Sequence, residues 1–138
     1  MADALPLPLP RVGCGAAILR DGKLLLIKRA KAPEAGCWGL AGGKVDPFET
    51  VQAAVRREIA EEIGIELVGE RLLCVTDQID REGGEHWVAP VFLAEAFVGE
   101  PTNLEPEKHT DLGWFALDAL PSPLTVAAQT AARALRGD

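Results

Sequence analysis

The chain has 138 residues, 48% hydrophobic and 25% charged, the make-up of one ordinary globular domain rather than a disordered segment. Its 21 acidic against 14 basic residues leave a net charge of −7, which argues against a nucleic-acid duplex as partner. A small phosphorylated ligand stays open if a cation stands between the two sets of negative charge, and no apolar run reaches the roughly 18 residues of a membrane span.

Residues 1–11 carry Pro6, Pro8 and Pro10 and lack a basic n-region, so an extended lead-in is expected, with one domain over residues 12–138. VGCGAAILRDGKLLLIKRA predicts two strands turning at Asp21-Gly22. KAPEAGCWGLAGGKVDP predicts a long loop with a short strand at Trp38–Ala41. From Phe48 to Ile63 the chain has neither Gly nor Pro and is rich in Ala, Glu and Arg, which predicts a helix capped by Gly64. ELVGERLLCVTDQID and HWVAPVFLAEAFVGE predict a second hairpin across REGGE. EPTNLEPEKHTD then reads as a polar loop, LGWFALDAL as a strand entering a turn, and Thr125–Leu135 as a second helix closed by Gly137. Strands enclosing helices predict an α/β sandwich on a mixed sheet. The three cysteines, Cys14, Cys37 and Cys74, have no CxxC spacing and read as buried or half-buried free thiols in a reduced, cytoplasmic setting.

The first helix carries an anomaly. With residues about 100° apart and Val55 at zero, Val51, Ile59 and Ile63 fall at about −40°, +40° and +80°, forming the apolar stripe. Glu58 and Glu61 lie on its margin at about −60° and −120°, but Glu62 lies inside it, at about −20°. A carboxylate held against apolar neighbours costs several kcal/mol unless a cation or strong donors compensate. Arg57 offsets one charge of the three. A hard divalent cation offsets several, and the i, i+3, i+4 spacing lets Glu58, Glu61 and Glu62 converge.

Gly43, five residues, Glu49, seven residues, then Arg57-Glu58-Ile59-Ala60-Glu61-Glu62-Ile63-Gly64-Ile65 resembles the Nudix box, G-x5-E-x7-R-E-U-x-E-E-x-G-U, without a mismatch. The chain is thereby similar to the Nudix hydrolase superfamily, on its MutT-like nucleoside triphosphate pyrophosphohydrolase branch. The resemblance implies an α/β/α sandwich and hydrolysis of a phosphoanhydride with Mg²⁺, for which Mn²⁺ can substitute. It implies Glu58 and Glu62 as metal ligands with the carbonyl of Gly42, and Glu61 as a further ligand or the group that activates water. Arg57 would orient the glutamates, and Glu49 would tie the loop to the helix. Gly42-Gly43 would let backbone approach the ion and the phosphates. Arg29, at the end of the second strand, would touch phosphate, with Lys44 and Gly43 beside it. A glutamate ahead of the Trp-Phe strand would complete the metal site; of Glu105 and Glu107, Glu107 is preferred, and His109 is taken as a loop residue.

Two departures are visible. Ala41 stands where the family commonly has Pro before the paired glycines, and Phe48 where it commonly has Gly before Glu49. Neither removes a ligand. The EPEKHTDLGWFALDALP segment is similar to small NTP-acting relatives, so an NTP or dNTP going to the monophosphate and pyrophosphate is the expected reaction. ADP-ribose or another nucleoside diphosphate derivative is the rival. A non-catalytic nucleotide-binding module is disfavoured because all three box carboxylates are retained. Trp38, Trp87, Phe92 and Phe115 are the candidates for base stacking, and homodimerisation is an expectation carried by the resemblance.

Overall fold

The computed structural model describes residues 9–138, so most of the expected lead-in lies outside the described residues. Strands run β1 (Arg11–Arg20), β2 (Lys23–Arg29), β3 (Trp38–Gly39), β4 (Ala41–Lys44), β5 (Glu66–Leu67), β6 (Arg71–Asp80), β7 (Glu85–Ala94), β8 (Phe97–Val98) and β9 (His109–Ala116). The helices are α1 (Val51–Ile63) and α2 (Val126–Arg136). β1 already begins at Arg11, the last residue assigned to the lead-in.

The β1–β2 hairpin forms as expected, with Asp21 at φ 55° and Gly22 at φ 75°, the positive-φ pair that matches strand twist. Seven strands make one mixed sheet in the order β3-β2-β1-β7-β6, with β4 also on β1 and β9 on β2; β1 and β7 are parallel. β5 and β8 form a separate antiparallel pair. α1 covers one face and α2 the other, the α/β/α sandwich the resemblance implies. β2 shows why: Leu25 and Ile27 join the core under α1, while Leu24 and Leu26 join the core under α2. A strand covered on both faces can be apolar at every position.

Helix α1 starts later than the expected Phe48. Phe48 has φ 68°, left-handed backbone that no helix uses, and it projects fully into solvent. Thr50 is the cap instead, its Oγ1 accepting from the Ala53 N–H at 3.0 Å. Gly64 closes the helix at φ 72°, as expected. The short strand expected at Trp38–Ala41 is two strands, because the chain leaves β2 after Gly39 and pairs with β1 from Ala41. The polar loop ends earlier than expected: His109, Thr110 and Asp111 already belong to β9. Among the described residues no helix is long and apolar enough to cross a membrane.

All three cysteines are free, as expected. Burial pushes the Cys14 thiol up to about 11, the Gly43 carbonyl only partly opposing it. Iodoacetamide at pH 8 should therefore modify half-buried Cys37 well before Cys14. Peptide mass spectrometry over time checks this, and equal labelling rates would contradict it.

Candidate active site

The site is built where the C-terminal half of α1 meets β4. Glu62 is 5% exposed, as its angle on the apolar arc anticipates. Its Oε1 accepts from the Gly42 N–H at 2.7 Å, and its Oε2 lies 3.1 Å from His109 Nε2. His109 is itself 5% exposed and its Nδ1 has no partner. The reading of His109 as a loop residue is thus corrected: it is the first residue of β9, facing Glu62. The sequence offered no local signal for this, since the pairing spans 47 positions.

The preceding loop is fastened to the last carbonyls of α1. The Thr102 N–H donates to Ile63 O and the Leu104 N–H to Glu62 O, both at 2.9 Å. Asn103 holds the loop from inside, donating to His109 O at 2.9 Å and accepting from the Glu105 N–H at 3.2 Å. In consequence Glu105 reaches the group: ligand atoms of Glu62, Glu105 and His109 lie within 4.8 Å of one another. Glu107, the residue preferred from sequence, is exposed on the same loop and is outside this group. A choice between two glutamates two residues apart depended on the turn at Asn103.

Arg57 gathers the other carboxylates. It donates to both oxygens of Glu49 at 2.7 and 2.8 Å, to Glu58 Oε1 at 3.0 Å and to the Lys44 carbonyl at 3.1 Å. Glu61 Oε2 and Asp46 Oδ2 each lie 3.4 Å away. The fork on Glu49 holds that carboxyl down at about 2, helped by the Asp46 N–H. Glu58 goes the other way: burial raises it, the charges of Glu62 and Glu61 add, and Arg57 only partly opposes them. A half-buried carboxyl with two like charges beside it is what a divalent cation relieves, and the oxygens suit a hard ion such as Mg²⁺.

The structure gives the paired glycines a packing reason of their own. A Cβ on Gly42 would lie 2.1 Å from the Cys14 carbonyl oxygen, so that residue is forced by strand packing against β1. A Cβ on Gly43 would lie 2.4 Å from the Glu58 carboxyl carbon, so Gly43 makes the space in which Glu58 sits. Gly43→Ala should displace that carboxylate and lower kcat by about 10²-fold with the fold intact. Steady-state rates and circular dichroism decide it; unchanged kcat would reject the packing role.

From this end a cavity of about 260 Å³ runs across the sheet. Arg29, Gly42, Gly43 and Lys44 are among the residues that line it. Arg29 Nε donates to the Pro33 carbonyl at 2.7 Å, which anchors its side chain at the rim. Of the four aromatic candidates only Trp87 lines the cavity. Trp38 and Phe115 pack edge to face at 5.0 Å beneath α2, and Phe92 packs against the core under α1. Glu34, Gln78 and Glu85 also line the cavity, and the sequence did not single them out. The left-handed φ of 61° at Glu34 is a property of the folded loop, with no glycine to announce it.

The NUDIX domain family model matches residues 9–136. Among solved structures, a MutT NUDIX hydrolase from Burkholderia pseudomallei is 64% identical, with a TM-score of 0.91 over 92% of this chain and 98% of that one. The ADP-ribose pyrophosphatase of Methanocaldococcus jannaschii is 38% identical over 112 residues, 81% of this chain and 65% of that protein. The CTP pyrophosphohydrolase of Escherichia coli is 54% identical over 57 residues, 40% of this chain and 42% of that protein. This chain thus matches less than two thirds of the length of either curated relative.

Proposed function

The chain belongs to the Nudix hydrolase family, and from that premise we propose that it hydrolyses an NTP or dNTP to the monophosphate and pyrophosphate. The observation carrying this reading is the junction of two features: the acidic end of α1, and a cavity that starts at Gly42, Gly43, Lys44 and Arg29. Glu58, Glu61, Glu62 and Glu105 would hold the divalent ion, with the Gly42 backbone alongside; Mg²⁺ fits the oxygen-rich set, and Mn²⁺ is the substitute. When bound, such an ion neutralises the polyphosphate charge and polarises the anhydride.

The protein's own groups supply the rest. Arg29 and Lys44 are cations placed to bind phosphate oxygens at the cavity rim. Arg57 keeps Glu58 and Glu49 in register with β4. Glu61, 54% exposed at its side chain, is the most exposed of these glutamates and would take the proton of an attacking water. A cavity of about 260 Å³ is at the small end of ligand sites and suits one nucleoside, with little room for the second ribose that ADP-ribose carries.

The relative named an ADP-ribose pyrophosphatase keeps that substrate as the second reading. A panel of NTPs, dNTPs and ADP-ribose with Mg²⁺, with products separated, tests the choice. Pyrophosphate from triphosphates is expected; AMP and ribose phosphate from ADP-ribose, with no triphosphate turnover, would replace it.

A further inference from the structure

The end of the cavity away from Lys44 carries polar groups that neither the ion nor the phosphates use. Glu34 is held in left-handed backbone at φ 61°, a conformation uncommon for a long side chain. Its carboxylate is clamped: Oε1 accepts from Gln78 Nε2 at 2.9 Å, and Oε2 from the Val126 N–H at 2.8 Å. The contact with Val126 alone would be an ordinary favourable placement at the start of α2. It would not require Gln78 or the unusual backbone, and Thr125 already caps that helix through Ala128.

The sheet order places this clamp. Lys44 pairs with Gly13 on β1, β1 pairs with β7, and Gln78 on β6 pairs with Trp87 on β7. Three strand spacings separate β4 from β6, roughly 14 Å at about 4.8 Å each. That distance matches the reach from the phosphates of a nucleotide to its base. The floor between is small or flat. A Cβ on Gly13 would come within 3.5 Å of the Trp87 ring and 3.6 Å of Ala89, so glycine there leaves room beside the ring, over which the Arg11 guanidinium lies 5.5 Å from the centroid.

The chemistry of the clamp is weighted toward acceptors. Glu34 only accepts, so the Gln78 amide nitrogen faces it with one of its two N–H groups, leaving Oε1 and one N–H beside the two carboxylates. Glu85, on the same wall, is a carboxylate with no hydrogen-bond or salt-bridge partner among the described residues. A base edge of carbonyl oxygens would face these acceptors unpaired, whereas an exocyclic amino group donates to them. Resting on the nucleotide reading above, we propose that Glu34, Gln78 and Glu85 form a base-reading subsite that selects the amino-bearing member of any pair of bases differing in that group. Guanine is then preferred over hypoxanthine, and cytosine over uracil.

Calorimetric dissociation constants of GMP, IMP, CMP and UMP for the full chain in Mg²⁺ test this without any turnover. A preference of about ten-fold for the amino-bearing member is expected in each pair, the worth of a hydrogen bond to a charged acceptor. Glu85→Gln and Gln78→Leu should each reduce it, and Glu85→Asp should restore part of it. Melting temperatures of the variants show that the fold survives. A wild-type ratio below about three-fold in both pairs overturns the subsite, as does a ratio that neither variant lowers, or no binding of any monophosphate. Should the selection appear while triphosphates are not turned over, the subsite stands and the triphosphate reading falls.

Discussion

Glu62→Gln should lose about 10²–10³-fold in kcat at saturating Mg²⁺ while the protein stays folded. The reason is charge rather than shape. Glu62 is 5% exposed, accepts from the Gly42 N–H at 2.7 Å and has His109 Nε2 at 3.1 Å. An amide keeps its oxygen on Gly42 and turns its nitrogen toward His109. That arrangement holds if the imidazole proton moves to Nδ1, which is unpartnered in the present arrangement. A stability cost of about 1 kcal/mol is therefore expected, small against the lost negative charge. On the proposed assignment Glu62 would be the innermost anionic ligand, and the amide would not supply that charge. Urea midpoints alongside kcat separate the two effects, and a rate close to wild type would remove Glu62 from the metal site.

Arg57→Ala should be the most destabilising single change at this site, by about 2–3 kcal/mol, with a comparable loss of turnover. Its side chain is 29% exposed, so the pairs it makes are partly screened and the cost stays below that of breaking a fully buried pair. Removing it frees Glu49 and Glu58 together and detaches the Lys44 carbonyl. Arg57→Lys should recover only a part, because an ammonium cannot fork onto both Glu49 oxygens. The acid limb of stability gives a second readout. With Glu49 held at about 2, below its ordinary 4.5, its contribution is present above 4.5 and is lost as pH falls through 2. In Arg57→Ala that loss between pH 4.5 and 2 should be smaller. An acid profile parallel to wild type would show that Arg57 is not what ionises Glu49.

Much of the site was legible because it is written on one helix. Periodicity placed Glu62 inside the apolar arc before any tertiary contact was known, and the box spacing placed Arg57, Glu58 and Glu61 with it. The helix start was not legible. Glu and Ala after Phe48 look helical, but Thr50 competes as a cap and wins through its bond to Ala53. The glycines were visible as necessary, yet their partners were not: Gly42 answers to the Cys14 carbonyl and Gly43 to the Glu58 carboxylate, 28 and 15 residues away.

By itself the sequence determined the mixed α/β fold, the positions of both helices to within about three residues, and the burial of Glu62 on the apolar arc of α1, because caps, turns and helical periods act between near neighbours. Only the tertiary structure decided that Glu105 rather than Glu107 approaches Glu62, that His109 is buried against it, and that Glu34, Gln78 and Glu85 share one cavity wall. Those contacts join separate loops and strands through sheet order and a loop pinned to a helix end. No local pattern of residue types encodes the partner at such separations.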